Sequence, residues 1–206
     1  MNTTPGSHEA GAAQYTGPLP PVAYPAATQG VPTASEPLSA AAEMKWLPRH
    51  FRRYLDRTPW AFCWRLGLES TVVSLVLASL LIAVLGTPRR SLLDLPMAGA
   101  FFLLLGFAPP VETLLFQSFP IFIVRALKGS MAVQIIVSTI LFAAVHFPEG
   151  VATGVSAGVV GGLYFAFAYA YWRTQSRWQA FWVTAACHAI HNGIAFILLV
   201  IAGNWK

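Results

Sequence analysis

The sequence predicts an all-α fold: a polytopic membrane helix bundle of about five transmembrane helices with a disordered amino-terminal tail. Three observations carry that expectation. Hydrophobic residues make up 56% of the chain and charged ones only 10%, whereas soluble chains are about a quarter charged. The mean hydropathy is +0.58, and the apolar content is concentrated within Leu66–Gly203 in blocks long enough to span a bilayer. The basic residues stand beside these blocks instead of lining one face of a helix. A soluble enzyme, a coiled coil and a wholly disordered chain are excluded. Cys63 and Cys187 are too few for a disulfide framework or a Cys-rich metal site.

The elements follow in chain order. Residues 1–43 are rich in Pro, Ala, Gly, Ser and Thr, include Pro-Leu-Pro-Pro, and show no periodic apolar face; they read as a disordered tail. No Lys or Arg precedes Lys45 and no apolar run follows Met1, so a secretory leader is not expected. Residues 44–66 mix Trp46, Phe51, Tyr54, Trp60, Phe62 and Trp64 with six basic side chains. Rings with basic neighbours favour the headgroup layer, which predicts an interfacial segment. A net charge of +5 raises nucleic acid as a partner, but this stretch leads straight into an apolar span, and no nucleic-acid partner is expected.

Residues 67–206 form the transmembrane domain. Leu68–Leu85 reads as an uninterrupted first span. Met97–Leu127 is long and contains Pro109-Pro110, which predicts a break. Met131–Phe147 and Val151–Trp172 are separated only by Pro148-Glu149-Gly150, and Trp178–Ala202 is the fifth block. Gly154, Gly158, Gly161 and Gly162 mark a close helix–helix approach. Alternating spans put Lys45, Arg49, Arg52, Arg53, Arg57, Arg65, Arg125, Lys128, Arg173 and Arg177 on one side, and only Arg89, Arg90 and Lys206 on the other. The excess predicts a cytoplasmic amino terminus, and the expected location of this multi-pass protein is a bacterial inner membrane.

Polar residues inside the blocks locate a candidate site: Glu112, His146, His188 and His191, with the amides Gln117 and Asn192. A carboxylate at mid-bilayer costs about 2.5–3.5 kcal/mol on insertion scales and usually faces the bundle interior beside a partner. At 1.5 Å per residue from one side, Glu112 and His146 both fall about 22 Å deep, His188 about 15 Å and Asn192 about 21 Å. The helices alternate in direction, so the common level is informative. Pro109-Pro110 is expected to start a new helical segment with Glu112 in its first turn, where free N–H groups stabilise the carboxylate. His188 and Asn192 are four apart and share a face; His191 points about 60° away and is expected to hold structure.

Glu112-Thr-Leu-Leu-Phe-Gln117, Phe142-Ala-Ala-Val-His146 and His188-Ala-Ile-His-Asn192, in this order on separate helices, resemble the three motifs of the CPBP family. These are the CAAX-protease and bacteriocin-processing (Abi) intramembrane proteases, with the pattern Glu-Glu-xxx-Arg, Phe-xxx-His and His-xxx-Asn/Asp. Thr113 stands in place of the second Glu and Gln117 in place of the Arg, so a buried ion pair is lost without orphaning either charge. The resemblance implies a glutamate-dependent endopeptidase in which Glu112 and His146 activate water, while His188 and Asn192 form the oxyanion hole. Thr113, Gln117, Phe142 and His191 then support the site. No cofactor is expected; the zinc alternative takes Glu112, His146 and His188 as ligands. The implied partners are membrane lipids and a peptide or membrane-protein substrate.

Two other readings stay open. One is a degenerate family member serving as a membrane scaffold or immunity-type protein, which Thr113 and Gln117 favour. The other is a haem or proton-relay protein using Glu112 and the three histidines.

Overall fold

A backbone in hydrocarbon has to satisfy its own N–H and C=O groups, and the apolar blocks of this chain do so as helices. The computed structural model describes residues 49–55, 57–86 and 94–203. The tail expected over residues 1–43, and the first part of the interfacial segment, lie outside the described residues. A short helix α1 (Arg49–Arg52) is followed by five helices long and apolar enough to cross a membrane: α2 (Pro59–Leu85), α3 (Met97–Ala126), α4 (Met131–Glu149), α5 (Val151–Trp172) and α6 (Arg177–Ile201). Among the described residues there is no strand. The chain is an all-α, multi-pass membrane protein.

Local chemistry sets the ends. Pro59 occupies the first turn of α2, where its missing N–H costs nothing. Ser130 and Ser176 cap α4 and α6 by accepting from Val133 N–H and Gln179 N–H. Pro148 tightens the end of α4 into a 3₁₀ turn, and Gly150, at φ 113°, reverses the chain into α5 in a single residue.

The centre is α5. Of its most apolar window 61% is buried, against 17% for α2 and α3, so the other helices surround it and those two face lipid. Its run from Tyr164 to Trp172 is buried throughout, and Phe62 of α2 stacks against Tyr171 at 5.7 Å. The glycines expected to allow close approach sit on this helix. A Cβ on Gly158 would lie 2.9 Å from Ala143 Cα and 3.1 Å from His146 Cβ. That contact presses α5 onto α4 beside a histidine of the candidate site.

Two sequence expectations are corrected. Pro109-Pro110 does not break the second span: α3 runs continuously from Met97 to Ala126. The helix widens just before the prolines, with Ala108 N–H bonded to Leu103 O, and a second wide turn bonds Phe119 N–H to Leu114 O. An i→i+5 turn accommodates rings that an ordinary turn would reject. Glu112 therefore stands between two wide turns and has no free helix terminus to stabilise it. The first span is unbroken in α2, as expected, but it is not free of charge: it carries Glu69.

Glu69 fastens the described part of the basic-aromatic segment to the bundle. Its carboxylate accepts from Tyr164 Oη at 2.8 Å and from Tyr54 Oη, and it pairs with Arg53 and His50. Phe51 and Tyr54 are buried, with Phe51 tilted against Phe167 at 4.6 Å. Burial, then the bond to Glu69, pushes the Tyr54 hydroxyl above its ordinary pKa, so it remains a donor.

Candidate active site

The residues expected at the site come from α3, α4 and α6. Glu112 projects from the middle of α3, its side chain 27% exposed. Its Oε2 lies 3.7 Å from Nε2 of His188 and makes no hydrogen bond. This is the one direct polar contact between two of the four main candidates among the described residues.

Aromatic packing holds His188 in place. Its ring stacks on Phe165 of α5 at 4.3 Å and meets the edge of Phe142 at 5.7 Å. The other face of the arrangement is His146, tilted against Phe142 at 4.5 Å. Phe142 thus spaces the two imidazoles, a positioning function that its apolar character alone did not reveal. His146 Nδ1–H donates to Phe142 O at 2.8 Å. That bond selects the tautomer and leaves Nε2 with its lone pair, the form that accepts a proton.

Asn192 Nδ2–H donates to Leu104 O at 3.0 Å. The wide turn explains why this carbonyl is available. Ala108 N–H is taken by Leu103 O, and the next donor in that register belongs to Pro109, which has none. Asn192 satisfies the acceptor that the proline orphans, and one of its amide hydrogens remains for another partner.

His191 faces elsewhere. Its Nδ1 is 2.9 Å from Ser70 Oγ, and that hydroxyl donates to Gly67 O, so the histidine donates to the serine. The bond ties α6 to α2, in keeping with a structural role. Thr113 and Gln117 are fully buried, yet Thr113 Oγ1 and both polar atoms of Gln117 have no partner. Among the described residues no three His, Cys, Asp or Glu side chains converge as a metal ion requires, Glu112, His146 and His188 included.

A cavity of about 300 Å³ opens between α2, α5 and α6, lined by Ser74, Glu149, Thr153, Ser156 and His191 among others. It touches none of Glu112, His146, His188 and Asn192. The candidate site is instead marked by the Glu112–His188 contact.

An acid and an imidazole brought together inside the helix bundle of a polytopic membrane protein mark a candidate site. The family model described as Rce1-like, type II CAAX prenyl endopeptidase, matches residues 94–194, the segment that holds all four main candidates. The match agrees with the CPBP resemblance of the chain's motifs, and the matching family is one of membrane endopeptidases. No curated protein and no solved structure matches the chain.

Proposed function

We propose that the chain hydrolyses a peptide bond of a membrane-associated peptide or protein, with Glu112 as general base and His146 as its assistant. The observation that carries this reading is the Glu112–His188 contact of 3.7 Å inside the bundle. The Glu112 carboxylate takes a proton from water as the water oxygen bonds to the scissile carbonyl carbon. His146 Nε2, unprotonated in its tautomer, accepts the hydrogen bond that orients that water. The carbonyl electrons move onto oxygen, and His188 Nε2–H and the second amide hydrogen of Asn192 stabilise the charge that forms. The carbon–nitrogen bond then breaks and the proton passes from Glu112 to the departing amine.

The chemistry is metal-free in this reading, as the family resemblance implies. The division into a tail at 1–43, an interfacial segment at 44–66 and a membrane domain at 67–206 belongs to the same proposal. So does a bacterial inner-membrane location with the amino terminus cytoplasmic, supported by the ten basic residues gathered at one side. These basic residues stand beside apolar blocks in the sequence, so nucleic acid is not among the proposed partners.

The test is cleavage of a peptide by the purified chain in detergent. Glu112→Ala and His146→Ala should each abolish turnover, and exhaustive chelation should leave it unchanged. Full turnover in Glu112→Ala overturns the assignment. A second reading, a degenerate scaffold or immunity-type member, is favoured by Thr113 and Gln117, whose buried polar atoms have no partner. Absence of turnover on any peptide with a folded chain would select it.

A further inference from the structure

Two basic clusters stand at the end of the bundle where α2 and α6 begin and α3 and α5 finish. They differ in their counter-charges. The first gathers Arg53, Arg57 and Arg65, and Arg53 is paired with Glu69. The second consists of Arg125 on the last turn of α3, Arg173 just after α5 and Arg177 at the start of α6, and none of the three is ion-paired among the described residues. Arg173 is half-buried. Partial burial, then the neighbouring charges of Arg125 and Arg177, hold its guanidinium below its ordinary pKa. Like charges gathered this way need an anion to offset their repulsion.

The surface next to these arginines has a particular shape. A groove of about 200 Å³ is lined by Arg173 and Arg177 and by Leu114, Phe119 and Phe122 of α3. The three apolar side chains are exposed, by 53%, 59% and 57%, on the surface that faces hydrocarbon. Tyr169 closes the inner wall by donating to Ser118 Oγ at 2.8 Å. A cationic mouth above an apolar trough matches the two halves of a lipid and not a free anion. Neither Glu112 nor any of the three histidines lines it.

We infer that this groove binds an anionic phospholipid of the surrounding leaflet. Arg173 and Arg177 grip its phosphate, Arg125 adds to their field, and an acyl chain lies along Leu114, Phe119 and Phe122. Guanidinium groups suit this role because their donors form a planar fork that matches two phosphate oxygens. Such a lipid also offsets the repulsion at the junction of α3, α5 and α6.

Native mass spectrometry of the full chain, with phosphatidylglycerol or phosphatidylcholine added in detergent, tests the inference. The wild type should retain phosphatidylglycerol and not phosphatidylcholine. The Arg173→Gln/Arg177→Gln variant should lose retention about fivefold per arginine removed. Arg57→Gln/Arg65→Gln, which removes the same charge from the other cluster, should leave it unchanged. Phe119→Ala/Phe122→Ala should weaken phosphatidylglycerol binding with no change of charge, and circular dichroism should show all three variants folded. Equal retention of the two lipids, an equal loss in the Arg57/Arg65 variant, or no loss in the Arg173/Arg177 variant would each overturn the inference. Displacement by inorganic phosphate as effective as by phosphatidylglycerol would overturn it too, because the trough would then contribute nothing.

Discussion

Glu69 and Glu112 are both carboxylates within membrane helices, and the bundle treats them in opposite ways. Glu69 is saturated: two tyrosine hydroxyls donate to it, and His50 and Arg53 pair with it. Glu112 has one oxygen with no hydrogen bond and a single imidazole at 3.7 Å. An ionised carboxylate offers about four acceptor positions. Filled, as at Glu69, they hold the group as an anion and tie α1, α2 and α5 together. Unfilled, as at Glu112, they leave the group able to take a ligand or a proton. The difference between a saturated and an open acid here lies in the donors around it, not in residue type.

Replacing each acid sharpens that contrast most. Glu112→Ala should lower turnover by about 10³-fold, within the range of general base catalysis, while thermal unfolding in detergent stays unchanged or shifts upward. Glu69→Ala should do the reverse. It orphans four donors and should cost about 2 kcal/mol of stability, a figure kept low because Arg53 is half-exposed and screened. Turnover per folded molecule should be retained. Comparable turnover losses in the two variants would break the comparison.

A smaller effect is expected where packing positions the site. Gly158→Ala places a Cβ 2.9 Å from Ala143 Cα, a backbone atom that has little room to move. The expected cost is about 1–2 kcal/mol. Turnover should fall as well, because His146 is carried on the same stretch of α4; thermal unfolding and peptide cleavage measured together would show both. Gly106→Ala, whose Cβ would meet nothing within 4 Å, is the matched control and should spare turnover.

The smallest change should come from the buried polar groups without partners. Gln117→Leu removes two unsatisfied atoms and should leave stability unchanged or raise it by about 1 kcal/mol. A loss of turnover in a stable Gln117→Leu chain would show that the amide serves the reaction, and would separate an active site from a degenerate one.

Much of this was legible in the chain because hydrocarbon is a strict solvent. Any helix that crosses it is a run of about twenty apolar residues, so the five spans show directly, and a polar side chain inside one stands out. Glu112, His146, His188 and Asn192 were found in that way. Glu69 escaped because it lies two residues beyond Gly67, next to the basic-aromatic stretch, and its partners are 15, 16, 19 and 95 positions away. No local pattern joins them. The prolines misled for a related reason: their missing N–H groups predict a break, and whether a wide turn and an amide from another helix repair the loss depends on what packs alongside.

The sequence by itself determined the solvent, the number of crossings and the depth at which the acid and the histidines lie, because all three follow from counting residues along helices. Only the tertiary structure decided which polar groups meet. It set Phe142 between two imidazoles, gave Leu104 O to Asn192, turned His191 toward Ser70, and saturated Glu69 while leaving Glu112 open. Depth is a one-dimensional property that each helix carries alone, whereas a hydrogen bond between helices depends on how they are rotated and how closely glycine and aromatic packing let them approach.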